Sequence, residues 1–277
     1  MSQTINTPSE ISAAYVDIGA GKAGLGFGRT LALSILAGAF IGVAGVAAST
    51  ASIGQLGVPA PLARLMGAAC FPAGLAMVVL AGAELFTGDC LMAISVLGKK
   101  LSLARMLRTW CVVYAGNFIG GLLVAALAVY SHTLNLYGGA LASSTIAAAA
   151  AKCSLTFQDA LLRGILCNFL VAGAVWMSLA AKDPAGKVAA LFLPVMIFVL
   201  DGYEHCVANM YFVPAGLMLS RAEGYALAAL PEALTWGGFL WKNLVPVTIG
   251  NIIGGSLCLG VPYWYIYLSG KSGGAPK

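Results

Sequence analysis

Glu84, Asp201, Glu204 and His205 are ionisable side chains set in the middle of long apolar runs, far from any predicted membrane interface. A charge at the centre of a membrane helix costs about 2.5–3.5 kcal/mol on insertion scales. Four such groups in two short stretches need partners, water or protons, so they should face the protein interior rather than lipid. Both glutamates close a Gly-x-Glu, Gly82-Ala83-Glu84 and Gly202-Tyr203-Glu204. Downstream of each lies a second recurring pattern, Gly116-Asn117-Phe118-Ile119-Gly120-Gly121 and Gly250-Asn251-Ile252-Ile253-Gly254-Gly255. Two patterns returning in the same order describe one unit built twice. His205 has no counterpart, because the first copy offers Leu85 at that place. A side chain that titrates near neutral pH and breaks the internal symmetry is the best candidate for ligand contact. The bland alternative is a satisfied core histidine. Thr87 supplies a hydroxyl able to donate to an anion or accept from a neutral acid, unless it is bonded to its own helix backbone.

The remaining polar residues read as structural. Glu84 and Glu204, each beside a helix break, are placed to accept hydrogen bonds from the exposed N–H groups of a half-helix start. Asn117 and Asn251 carry amides that need partners in hydrocarbon, and the broken segments are the partners at hand. The repeat glycines form close-packing surfaces between helices. No P-loop, His-Glu-x-x-His or Gly-x-Ser-x-Gly is present, and the chain has two histidines, so no enzyme constellation appears. Cys206 beside His205 suggests thiol catalysis, but neighbours on a helix point about 100° apart. The seven cysteines are scattered singly and read as apolar packing residues, leaving no metal set and no cofactor.

The elements that must position these residues are membrane helices. The chain is 60% hydrophobic and 9% charged, with a mean hydropathy of +0.90. That excludes an ordinary soluble domain and predicts an all-α polytopic membrane protein. One membrane domain covers 1–277: a surface helix within 1–27, a first repeat over 28–132, a second over 156–268, and a polar tail, 269–277. Spans are predicted at 28–50, 104–131, 156–181 and 243–268, with a Ser- and Ala-rich linker before the fourth span. Segments 61–98 and 188–220 are too long for one straight crossing and too short for two, at roughly 20 residues per span. Each carries glycine and polar residues at its centre, which predicts broken helices for spans 2 and 5. The whole is then six spans in an inverted 3+3 repeat, because three crossings per copy turn the second copy over.

Charge placement supports the same topology. With the N-terminus inside, ten of the 15 Lys and Arg fall on the cytoplasmic side and five outside, placing both termini in the cytoplasm. Topology rather than nucleic acid explains the net charge of +5. The polar start lacks a signal peptide's basic and apolar regions. Trp110, Trp176, Trp236, Trp241 and Tyr263-Trp264-Tyr265 fall near span ends as an aromatic belt would. No Asn-Pro-Ala pair, the signature of water and glycerol channels, is present.

Leu85-Phe86-Thr87-Gly88, the run from Gly202 to Met210, and the run from Asn243 to Asn251 resemble the formate/nitrite transporter family, over roughly 28–268. The resemblance implies a homopentamer in the plasma (inner) membrane, with an aquaporin-like protomer fold and a pore in each protomer. It implies Thr87 and His205 at the pore centre, Asn251 holding the interrupted loops, and Lys152 in the outer vestibule. Phe71, Leu75, Leu85, Phe86, Val171 and Phe198 match the residues of the two apolar constrictions. Asp201 departs from the family pattern, which has a small residue there. If ionised beside His205, it would oppose anion access or favour the imidazolium.

The function expected is passage of small monovalent anions, formate first, with a proton handled at His205. Nitrite and hydrosulfide on the same scaffold are the nearest alternatives. A facilitator of neutral solutes is the alternative from another class, and an enzyme using His205 and Cys206 is the most distant.

Overall fold

The computed structural model describes residues 5–53, 58–225 and 231–270. Gly54, Gly57, Lys271, Lys277 and the tail beyond Gly270 lie outside them. Among these residues ten helices of ten or more residues run in order: α1 (Pro8–Ala23), α2 (Phe27–Ala51), α3 (Ala60–Ala81), α4 (Phe86–Leu97), α5 (Leu103–Tyr130), α6 (Ala140–Cys153), α7 (Phe157–Ser178), α8 (Pro184–Leu200), α9 (Cys206–Leu219) and α10 (Gly238–Leu268). Five of them, α2, α3, α5, α7 and α10, are long and apolar enough to cross a membrane. Large apolar side chains point outward from them, including Leu123, Leu127, Leu257 and Ile266. Outside water, such a surface is matched by lipid tails.

Local chemistry starts these helices. Thr7 and Glu10 form a reciprocal capping box ahead of α1, with Pro8 as its first residue. Ser102, Thr156 and Asp183 cap α5, α7 and α8 by accepting the N–H of Arg105, Asp159 and Gly186. α10 widens into π-type turns over Gly238–Leu244 and Ile253–Gly260.

The two interrupted segments break in the same way. α3 ends at Gly82 (φ 71°) and α8 turns at Gly202 (φ 72°), a left-handed conformation that favours glycine. Behind each turn, Ala83 N–H returns to Val78 O and Tyr203 N–H to Phe198 O, both at 3.0 Å. The chain then extends, with Leu85 at φ −112° and His205 at φ −108°, before α4 and α9 begin.

Helices approach closely at the repeat glycines. A methyl group on Gly116 or Gly120 of α5 would run into Ser34 or Ile35 of α2. On Gly250 or Gly254 of α10 it would run into Leu161 or Ile165 of α7.

Three expectations change. The Ser- and Ala-rich linker contains helix α6, which buries Leu141, Thr145, Ile146 and Ala149. α1 is no mere surface helix, because Ile11, Ser12 and Tyr15 are buried against the bundle. The aromatic belt is partial. Trp236, Trp241 and Tyr265 are exposed, whereas Trp110 and Trp176 are inside the protein. Trp110 donates to Asp89 O at 3.0 Å, and Trp176 stacks on Tyr263. Their indoles found partners within the bundle, which an interfacial position would otherwise have supplied.

Candidate permeation site

The extended residues bring the two breaks face to face. Thr87 Oγ1 lies 2.9 Å from His205 Nε2, and both side chains are buried. His205 also caps α9, its Nδ1 accepting the N–H of Ala208 at 3.0 Å. An accepting Nδ1 carries no proton, so the neutral ring holds its proton on Nε2 and donates it to Thr87. The Thr87 hydroxyl proton is thereby left to point elsewhere. The Phe198 ring lies along the imidazole at 5.8 Å, and Phe71 meets Phe198 edge-on at 5.6 Å.

Two asparagines hold the breaks open. Asn117 accepts Phe86 N–H at 2.9 Å and donates to Ser34 O and Glu84 O. Asn251 accepts Cys206 N–H at 2.9 Å and donates to Gly164 O and Glu204 O. The first orphan donor of each half-helix is thus satisfied by an amide rather than by the neighbouring glutamate. Sequence reasoning assigned that task to Glu84 and Glu204. Their carboxylates instead take cations and amides. Lys22 reaches Glu84 at 2.6 Å and Asp89 at 2.8 Å. Lys152 reaches Glu204 at 2.9 Å, and Asn209 and Asn243 supply the same carboxylate with amide donors.

Each ion pair faces a cavity. The first, about 200 Å³, is lined by Tyr15, Lys22, Leu75, Glu84, Leu85 and Asp89 among others. The second, about 230 Å³, is lined by Lys152, Glu204, His205, Asn209, Phe71 and Phe198 among others. Burial alone would lower the Lys22 pKa, but the Asp89 and Glu84 charges outweigh it and hold the ammonium above the usual lysine range. Lys22 is therefore charged. The Lys152 ammonium also lies 5.6 Å over the Phe212 ring.

Three further residues singled out from the sequence are absent from the lining of both cavities. Phe86 lines neither cavity. Its ring packs edge-on against Trp110 and Tyr114 of α5, because it follows Leu85 and turns to the opposite side. Val171 is buried but lines neither cavity. Asp201 is exposed at the end of α8, forms no ion pair among the described residues, and lines neither cavity. The left-handed turn at Gly202 directs the chain inward only after Asp201 has passed.

Sequence reasoning gave no site role to Lys22, Asp89 or Asn168. Lys22 was counted only as a topology charge. Asn168 of α7 donates to Thr87 O at 3.2 Å and Asn251 O at 2.7 Å, tying the two breaks together. The signal for Asn168 was present: it is a lone amide in an apolar helix, the feature that marked Asn117 and Asn251.

Comparison with known proteins gives the family. A family model described as "Formate/nitrite transporter" matches residues 9–265. A probable formate transporter of Methanothermobacter thermautotrophicus is 37% identical, over 97% of this chain and 99% of that protein. The formate channel FocA of Escherichia coli is 38% identical, over 87% of each chain. A solved structure described as a pentameric formate channel with formate bound superposes with a TM-score of 0.77 at 34% identity, covering 88% of this chain and 98% of that one. An ion channel of the same family superposes at 0.80 with 28% identity, covering 92% and 98%. These relatives are channels and transporters, not enzymes, and share the helical, multi-pass membrane architecture seen here. The chain belongs to the formate/nitrite transporter family.

Proposed function

We propose that the protein conducts formate, in proton-linked fashion, along a path from the Lys22 cavity to the Lys152 cavity through the Thr87–His205 contact. That contact, lying between two cavities that each hold a buried lysine–carboxylate pair, is the observation that carries the reading. The protomer is read as one membrane domain of six crossings in an inverted 3+3 repeat. Residues 28–132 and 156–268 form its halves, spans 2 and 5 are broken, and the termini lie in the cytoplasm beneath the inner membrane. Matched bonds at the two breaks support the duplication. Glu84 N–H donates to Leu33 O and Glu204 N–H to Arg163 O, each at 3.3 Å. Five protomers are proposed per assembly, as in the solved pentameric relative.

The Lys22 and Lys152 ammoniums line the two cavities and can hold a small anion there by hydrogen bonding, each beside its own carboxylate partners. Phe71 and Phe198 on one side, and Leu75 and Leu85 on the other, oppose a bare charge, because moving it into an apolar passage is costly. The resemblance adds Phe86 and Val171 to these constrictions, in supporting rather than lining positions. Taking up a proton removes much of that cost. Thr87, with its own proton free, donates to the substrate oxygen. A proton reaching His205 Nδ1 displaces the Ala208 N–H, at roughly 1 kcal/mol for a lost cap. The imidazolium then passes its Nε2 proton through Thr87 to the anion, leaving a neutral ring. Asn251, Asn117 and Asn168 hold the geometry throughout.

His205→Asn tests the step. Asparagine keeps an oxygen in the Nδ1 position for the Ala208 N–H and turns an amide N–H toward Thr87 from one bond further back, but it does not titrate. Formate flux into proteoliposomes should persist and lose its dependence on pH. An unchanged pH profile removes His205 from the proton path. Lys152→Ala should lower flux of formate, nitrite and hydrosulfide alike, and more at low ionic strength. Water or glycerol flux that ignores the substitution, with no anion flux to lose, would point to a neutral-solute facilitator.

A further inference from the structure

Asp89 is fully buried, yet its Oδ2 has no hydrogen-bond partner among the described residues. Its Oδ1 takes Lys22, which also takes Glu84, so this cavity holds two carboxylates for one ammonium. Tyr15 of α1 is the other titratable group lining it, and its hydroxyl donates to Gly88 O at 3.1 Å. α3 contributes Leu75, Val78 and Val79, α7 contributes Val175 and Ser178, and neither adds a charge. The Cys90 thiol, next along the chain, is turned to Phe86 O.

The second half of the molecule shows what this position supplies. Asn209 stands five residues beyond Glu204, as Asp89 stands five beyond Glu84. The Asn209 amide donates to Glu204 at 2.6 Å, while its oxygen, like Asp89 Oδ2, is buried without a partner. Glu84 Oε2 and Asp89 Oδ1 share the one Lys22 ammonium, at 2.6 and 2.8 Å. Ionised carboxylates only accept, so a hydrogen bond between them needs a proton. Like charges this close do not both ionise readily. One added proton gives Asp89 the donor that Asn209 has permanently, and makes the Lys22–Glu84–Asp89 group neutral.

We propose that Asp89 is a proton-binding carboxyl of the Lys22 cavity, loading and unloading a proton as the transported anion passes. This rests on the formate reading above. A neutral acid emerging past Leu85 loses its O–H proton to the Asp89 carboxylate. The O–H bond of the acid breaks, an O–H bond forms at Asp89, and the anion remains beside Lys22. Asp89 then returns the proton to water in the cavity. In the opposite direction the protonated Asp89 donates to the anion and is recharged from water. The Lys152 cavity pairs its ammonium with one carboxylate, Glu204, and has the non-titrating Asn209 where the first has Asp89, so proton exchange there falls to His205 and the two mouths differ.

Asp89→Asn gives this cavity the charge balance of the other while keeping an oxygen for Lys22 and a donor for Glu84. Infrared difference spectra of the protein in liposomes, stepped in pH, should show a protonated-carboxyl band that shifts in heavy water and is absent from D89N. Labelled-formate flux, with pH varied only on the α1 side, should change about tenfold per pH unit in the window where that band titrates. D89N should be flat there, and D89E should restore the response. A band retained in D89N, or coincident flux profiles, overturns the proposal, and a purely structural Asp89 predicts both. Loss of the band in D89N from a protein that moves no formate supports the proton site and overturns the formate reading instead.

Discussion

Asn251→Leu is expected to destabilise the protein by about 2–6 kcal/mol. The substitution leaves Cys206 N–H and Glu204 O without their partner in a buried break, and an orphaned buried polar group costs about 1–3 kcal/mol. Gly164 O also loses a donor, but it belongs to the interior of α7 and keeps its helical bond. Against a total stability of roughly 5–15 kcal/mol for a folded domain, this loss is large enough to remove much of the folded population in detergent. Asn117→Leu should behave alike, since it strips Phe86 N–H and Glu84 O. The measurement is the unfolding midpoint of purified protein, with formate flux read in parallel. Midpoints unchanged in both variants would mean that the breaks hold themselves open without the amides.

A second large effect is expected at Gly120. A Cβ there would collide with the Ile35 carbonyl oxygen and lie 2.7 Å from Ala39 N. Both obstacles are backbone, so no rotamer change relieves them and α5 must move away from α2. Overpacking a core costs typically 1–3 kcal/mol, and separating two helices along their length loses further contacts. Gly120→Leu should therefore fail to yield a monodisperse folded protein, and Gly120→Ala should lower the unfolding midpoint strongly. Gly173 of α7 is the control, because a Cβ there meets nothing within 4 Å. Gly173→Ala should be neutral or gain up to about 1 kcal/mol from helix propensity. Equal behaviour of Gly120→Ala and Gly173→Ala in size-exclusion and thermal-unfolding assays would show that α2 and α5 are not locked by this approach.

Both effects concern residues that the duplicated pattern displays in one dimension. Gly116, Asn117 and Gly120 return as Gly250, Asn251 and Gly254, and their spacing is the helical one that puts small residues on a single face. The breaks were legible for a similar reason, since glycine and ionisable residues interrupt otherwise apolar segments. Lys22 was not legible as a site residue. Its partners Glu84 and Asp89 lie 62 and 67 positions away, and only the docking of α1 under the bundle brings the ammonium to them. The direction of Phe86 and the exposure of Asp201 depend on how the chain rotates through a left-handed turn. A sequence pattern records the glycine there but not the resulting azimuth.

The amino-acid sequence alone determined the hydrophobic spans, the two interruptions, the repeated glycine–asparagine faces and the histidine without a counterpart in the first repeat, because each is a local matter of hydropathy, backbone freedom or residue type. Tertiary structure decided which lysine meets which carboxylate, which imidazole nitrogen holds the proton, and which amide satisfies each half-helix. Those outcomes depend on distance and angle between segments far apart in the chain, and only the packed bundle sets them.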